Sequence, residues 1–146
     1  MFDCLSLVKY SIYDRKNKCG PLLDRIDIHI EVPAVPFREL SGGGTPGTSS
    51  AEMRALVAAA RQRQTVRFDG SSTRYNADMS HRQTRRFCVL DAECSNLLKG
   101  AMTEMGLSAR AHDKILRVAR TIADLDGCDG VRPHHLKPGL VRFGRR

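Results

Sequence analysis

Four cations lie along one stretch of the chain, Arg110, Lys114, Arg117 and Arg120, with Thr121 beside the last. On a helix these steps of three and four form one stripe, and guanidinium forks match phosphate oxygens two at a time. Arg110 falls in the first turn, where the positive end of the helix dipole welcomes an anion. The same stretch allows a plainer reading. Asp113 with Arg117 and Arg120 with Asp124 are i, i+4 pairs of the kind that decorate any solvated helix face. A fifth cation, Arg25, stands at the entrance of an alternating segment, between Asp24 and Asp27. By itself this is ordinary surface electrostatics. Gly42 and Gly47 have the spacing of a phosphate-binding loop, but Thr48 stands where that loop needs Lys, so the run Gly42–Ser49 reads as a connector. Arg82, Arg85 and Arg86 make a short basic cluster suited to nucleic acid. His134 and His135 lie near Cys128, yet adjacent histidines diverge on a helix and no Cys pair accompanies them, so no metal site is expected.

The elements that must position these groups are mostly helical. Ile26, Ile28, Ile30 and Val32 alternate with polar residues, the period of a half-buried strand that Pro33 and Pro36 end. One strand cannot make a sheet, so its partners are expected elsewhere. After the Gly-rich loop, Ser49 and Glu52 predict a capped helix over about residues 50–66, with Met53, Leu56, Val57 and Ala60 as its inward stripe. Ser80 with Gln83 predicts a short helix to about Cys88. Asp91 opens another, with Leu97, Leu98, Ala101, Met102 and Met105 inward and Gly106 as its stop. Ser108 caps the strongest helix, whose apolar stripe is Ile115, Val118, Ala119 and Ile122, widened by Leu116 and Ala123 and closed by Gly127. Pro133 begins a last helix that Pro138 and Gly139 are expected to interrupt. The expected divisions are a segment of unassigned structure at 1–19, a strand and Gly-rich loop at 20–48, a helical domain at 49–137 and a basic tail at 138–146.

Composition agrees with helices. The 146 residues are 41% apolar and 27% charged, with 5% aromatic and no Trp, so the core must come from aliphatic side chains and Met. A net charge of +8 and an isoelectric point near 9.7 imply an anionic partner without choosing among nucleic acid, nucleotide and acidic protein. Five Cys, odd in number and without a C-x-x-C pair, argue against a disulfide framework and fit a reducing compartment. No apolar run approaches the ~20 residues that span a bilayer and no signal-peptide core is present, so a cytoplasmic protein without a membrane partner is expected.

The segment GPLLDRIDIHIEVP closely resembles the magnesium-chelatase-like branch of the AAA+ ATPases, in particular its bacterial competence-type members. The resemblance continues through SSAEMRALVAAARQRQ, YNADMSHRQTRRFCVLDAE and GLSARAHDKILRVARTIADLDG, covering roughly residues 20–136. It implies a mainly α fold: an α-helical AAA+ lid bundle of four to five helices, preceded by the last strand of an α/β ATPase core. It implies that Arg25 is an arginine finger reaching a neighbouring subunit's ATP site, and that Arg110, at the head of the third lid helix, is the sensor 2 arginine that contacts nucleotide. It implies ATP and Mg as the cofactors of the complete motor, with none expected to bind tightly to this chain alone. An AAA+ core domain or neighbouring subunits of a homo-oligomeric ring are its partners, with DNA the client in recombination or transformation.

The departures from the family are informative. Neither G-x-x-x-x-G-K-S/T nor an apolar run ending in Asp-Glu occurs, so the chain lacks the Walker A Lys and Walker B carboxylates and is expected to be inactive alone. Residues 1–18 and those after His135 leave the family pattern, which makes a truncated gene product a rival reading. The other rival is a freestanding basic helical module that binds nucleic acid through Arg82, Arg85 and Arg86.

Overall fold

Each helix of the bundle begins where a side chain can accept the backbone N–H groups that a first turn leaves without partners. The computed structural model describes residues 47–141, together with Ala34. Among them are five helices and no strand: α1 Ser50–Arg67, α2 His81–Phe87, α3 Ala92–Met105, α4 Ala109–Leu125 and α5 Pro133–Val141, with a 3-10 turn at Asn76–Asp78. The strand expected at Ile26–Val32 lies outside the described residues, as do residues 1–19 and most of the Gly-rich loop. The mainly helical fold is as expected from the sequence.

The starts follow the sequence. Ser49 Oγ accepts from the Glu52 N–H at 3.2 Å while Glu52 accepts from the Ser49 N–H at 2.7 Å, a complete capping box. Ser80 and Gln83 repeat the device at α2. Asp91 caps α3 and Ser108 caps α4, each with one bond to the backbone N–H three residues on. The stops are as local. Gly106 and Gly127 take positive φ, 58° and 69°. At the end of α4 the Cys128 N–H reaches the Ala123 carbonyl and the Gly127 N–H the Asp124 carbonyl, the double bond of a Schellman turn.

The central helix is α4, which packs against α5, α1, the 3-10 turn and α2, while α3 lies on α5. Ile115, Leu116 and Ala119 of α4 meet Phe68, Met79, Cys88, Leu98, Val131 and Leu136 in one core. Phe68 and Phe87 stack edge to face, 5.6 Å between centroids. A fully buried aliphatic side chain such as Ile115 or Leu136 contributes about 1.5–3 kcal/mol each. Cys88 and Cys94 belong to this core. Burial pushes both thiols up to about 11, which leaves them un-ionised and inert at neutral pH.

Two expectations are corrected here. Met53, Leu56 and Val57 are not inward, for each remains about half exposed, at 53%, 51% and 50%. Only the C-terminal half of α1 reaches α4, so that Ala60 and Gln64 are its buried residues. The last helix also runs on through Pro138 and Gly139 to Val141. Pro138 removes one helical hydrogen bond, that to the His134 carbonyl. Gly139 is a contact and not a break: a Cβ there would lie 3.2 Å from Ile115 Cγ2 and 3.4 Å from Ile115 Cα, so α4 and α5 approach closely only with Gly at this point.

Candidate functional site

The first two turns of α4 and the start of α2 enclose a cleft of about 360 Å³ lined by His81, Ala109, Arg110, Asp113, Lys114 and Arg117. Positions 110, 113, 114 and 117 fall at helical steps of three and four, which is why the four side chains share one wall. Ser108 holds the start of α4, and Ser80 places His81 as the first residue of α2, so two capping residues fix the two rims. Arg110 is exposed at the mouth, with no ion pair or hydrogen bond to it among the described residues.

Asp113 does not pair with Arg117, contrary to the sequence expectation. Its carboxylate is held by His81 Nδ1 at 2.8 Å and His112 Nδ1 at 3.2 Å. Burial would raise the Asp113 pKa, but the hydrogen bonds from His81 and His112 outweigh it and hold the carboxyl below its ordinary range. Arg117 turns elsewhere. Its Nη1 donates to the Ala77 carbonyl at a long 3.3 Å, and its Nε is buried with no acceptor. The one carboxylate of the cleft wall is thus engaged by histidines, while three cations, Arg110, Lys114 and Arg117, face the same space. Such a wall suits phosphoryl oxygens and offers little to a metal ion.

Arg120 and Asp124 are a further correction. They do not decorate a solvated face, being only 2% and 1% exposed. Asp124 receives Arg67 at 2.5 and 2.6 Å, Asn76 Nδ2 at 2.8 Å and Arg120 Nη2 at 2.9 Å. Arg120 also donates to the carbonyls of Cys128 and Asp129, each at 2.6 Å. Burial would raise the Asp124 pKa, yet the bonds from Arg67 and Asn76 and the charge of Arg120 keep it lowered. The network is enclosed, and its chemistry is structural.

Asp126, His134 and His135 bring one ligand-type atom each to within 4.8 Å of one another. His135 Nδ1 accepts from the Arg132 N–H at 2.9 Å, which assigns the ring proton to Nε2, where it meets Asp126 Oδ2 at 3.1 Å. A metal on Nε2 would drive a proton onto Nδ1, against the Arg132 N–H. His135 is instead the third residue of α5 reaching back to the residue before it, the part Glu or Gln takes in a capping box. Burial, followed by the nearby charge of His134, holds its pKa below the ordinary 6.5, against the pull of Asp126.

Of the residues singled out from sequence, Arg110, Lys114 and Arg117 come together, whereas Arg120 turns into the core. Arg82, Arg85 and Arg86 lie exposed on the outer face of α2. Arg25 lies outside the described residues. His81 and Asp113 were not foreseen as cleft partners. The spacing of Asp113, three residues after Arg110, was the available signal; that of His81 depends on how α2 meets α4.

A helical bundle whose central helix opens on a cationic cleft at its N-terminal end is of the kind that forms the lid of AAA+ ATPases. This chain belongs to the magnesium-chelatase-like family, its residues 47–141 matching the family described as magnesium chelatase, subunit ChlI C-terminal. It is 42% identical over 121 residues to the uncharacterized protein YifB of Escherichia coli, and 38% identical over 121 residues to the competence protein ComM of Haemophilus influenzae. Each alignment covers 83% of this chain and 23% of the relative, so the chain spans under a quarter of the length of these proteins. No described helix is long and apolar enough to cross a membrane.

Proposed function

We propose that this chain acts as the helical lid of a magnesium-chelatase-like AAA+ motor, and that Arg110 meets the phosphates of ATP in the manner of a sensor 2 arginine. The observation that carries this reading is the position of Arg110, exposed at the mouth of a cationic cleft in the first turn of α4. A phosphate there gains a charge-assisted fork from the guanidinium and the favourable end of the helix dipole. The cleft fits the phosphates of ATP, not its Mg ion, since Asp113 is already taken by two histidines. Carboxylates for Mg, and the Walker residues that complete an ATP site, would come from outside this chain. Arg25 would serve as the finger inserted into a neighbouring subunit of the ring. Cations set against a transferring phosphoryl group neutralise charge on it, and a finger supplied in trans is worth about 10³–10⁵ in rate. DNA is the client favoured by the net charge of +8 and by the exposed face of Arg82, Arg85 and Arg86.

The test places this lid in a complete homologue. Arg110→Ala there should leave the ligand-free stability within about ±0.5 kcal/mol, because an exposed first-turn Arg has no partner to lose. The thermal stabilisation given by ATP should fall sharply, whereas Arg85→Ala, on the outer face of α2, keeps it. Equal stabilisation of the Arg110 variant and its parent by ATP would refute the assignment.

A further inference from the structure

Among the described residues, Arg117 is the charged side chain of the cleft that keeps a buried donor without an acceptor. It stands two turns after Arg110 on the same wall, and its i−4 neighbour Asp113 is engaged by His81 and His112. Its only side-chain hydrogen bond among the described residues is the 3.3 Å contact from Nη1 to the Ala77 carbonyl, and its Nε–H is enclosed without an acceptor. A buried donor left unpaired is unfavourable, and a charged one more so. Helical side chains lean toward the N-terminus of their helix, which carries the guanidinium of Arg117 back toward the space that Arg110 faces.

We infer that Arg117 is a second phosphate-binding residue of this cleft, and that Arg110 and Arg117 together select an anion with two or more linked phosphoryl groups over a single phosphate. The inference rests on the reading of Arg110 given above and extends it to a second residue. The two lie seven positions apart along α4, about 10 Å of rise, more than one phosphate can bridge from a single position. A chain of phosphoryl groups supplies oxygens to both forks. As the anion enters, the guanidinium of Arg117 exchanges its long bond to Ala77 for a paired contact, and the Nε–H gains an acceptor. Lys114 lines the wall between them and adds to the attraction without fixing a geometry.

The whole 146-residue chain suffices for the test. Arginine Nε–H resonances are followed by ¹H–¹⁵N NMR while inorganic triphosphate, pyrophosphate and orthophosphate are added in separate titrations. Arg110 and Arg117 should shift together and saturably, at about tenfold lower concentration for triphosphate than for orthophosphate, with Arg82, Arg85 and Arg86 unmoved. Arg117→Ala should weaken triphosphate binding about tenfold or more and narrow its margin over orthophosphate, and Arg117→Lys should restore only part of the loss. If Arg110 shifts and Arg117 does not, this inference fails while the reading of Arg110 stands. Should neither move, both fail. Equal movement of every exposed arginine would reduce the cleft to a diffuse positive field and would likewise overturn the selection proposed here.

Discussion

One helix carries arginines to two opposite fates. Toward the N-terminal end of α4, Arg110 and Arg117 face a cleft and the nearby carboxylate is withheld from them by His81 and His112. At the C-terminal end Arg120 is sealed against Asp124, whose carboxylate also receives Arg67 and Asn76. Spacing is the same in both places, since Asp113–Arg117 and Arg120–Asp124 are equally i, i+4 pairs. What differs is the surroundings. At the buried end α1 and the 3-10 turn bring a second guanidinium and an amide, enough donors to satisfy a carboxylate out of water; at the open end, among the described residues, α2 brings a histidine and the 3-10 turn a single backbone carbonyl.

The difference should be largest in stability. Asp124→Ala leaves Arg67 and Arg120 enclosed with no carboxylate, and chemical denaturation should register a loss of about 3–5 kcal/mol. A loss under about 1 kcal/mol would mean that the two ends are not different in kind. A smaller contrast is set by pH. His135 has a lowered pKa, so below the ordinary 6.5 the unfolded chain takes up a proton that the folded one resists. Stability should therefore be complete above that pH and decline as pH falls below it. His135→Gln keeps an acceptor for the Arg132 N–H and removes the titration, and its melting temperature should fall less between pH 7 and pH 5 than the parent's. A parallel fall in both proteins would assign the pH response to other groups. The smallest effect is expected where the sequence looked most apolar. Leu56→Ser, at a half-exposed site on α1, should change the stability of this chain by no more than about 0.5 kcal/mol in denaturant titration.

Leu56 also marks where the sequence stops being informative. Helix starts and stops were legible because each is a local event: Ser49, Ser80, Asp91 and Ser108 cap within three residues of themselves, and Gly106 and Gly127 supply their own positive φ. Which side of a helix is buried is not local. The stripe Met53, Leu56, Val57 and Ala60 has the right period, yet only Ala60 is buried, and the other three stay half exposed. Charge fate was equally illegible, since the burial of Arg120 depends on Arg67 and Asn76, more than forty positions upstream. The position of Arg110 followed from Ser108 and the helical repeat, whereas the diversion of Asp113 depended on how α2 docks. Pro138 and Gly139 misled for a related reason: their composition suggests a stop, and only the approach of Ile115 shows why Gly139 belongs inside α5.

The bonds from Arg120 to the carbonyls of Cys128 and Asp129 bear on how this chain can vary in length. Surface connections usually tolerate insertion and deletion, because little of their backbone is tied to the interior. The link between α4 and α5 is tied by two adjacent carbonyls to one immobile guanidinium. A residue added or removed there shifts both carbonyls out of register with their donors, so among relatives this short link should be a stretch of constant length, with gaps falling elsewhere.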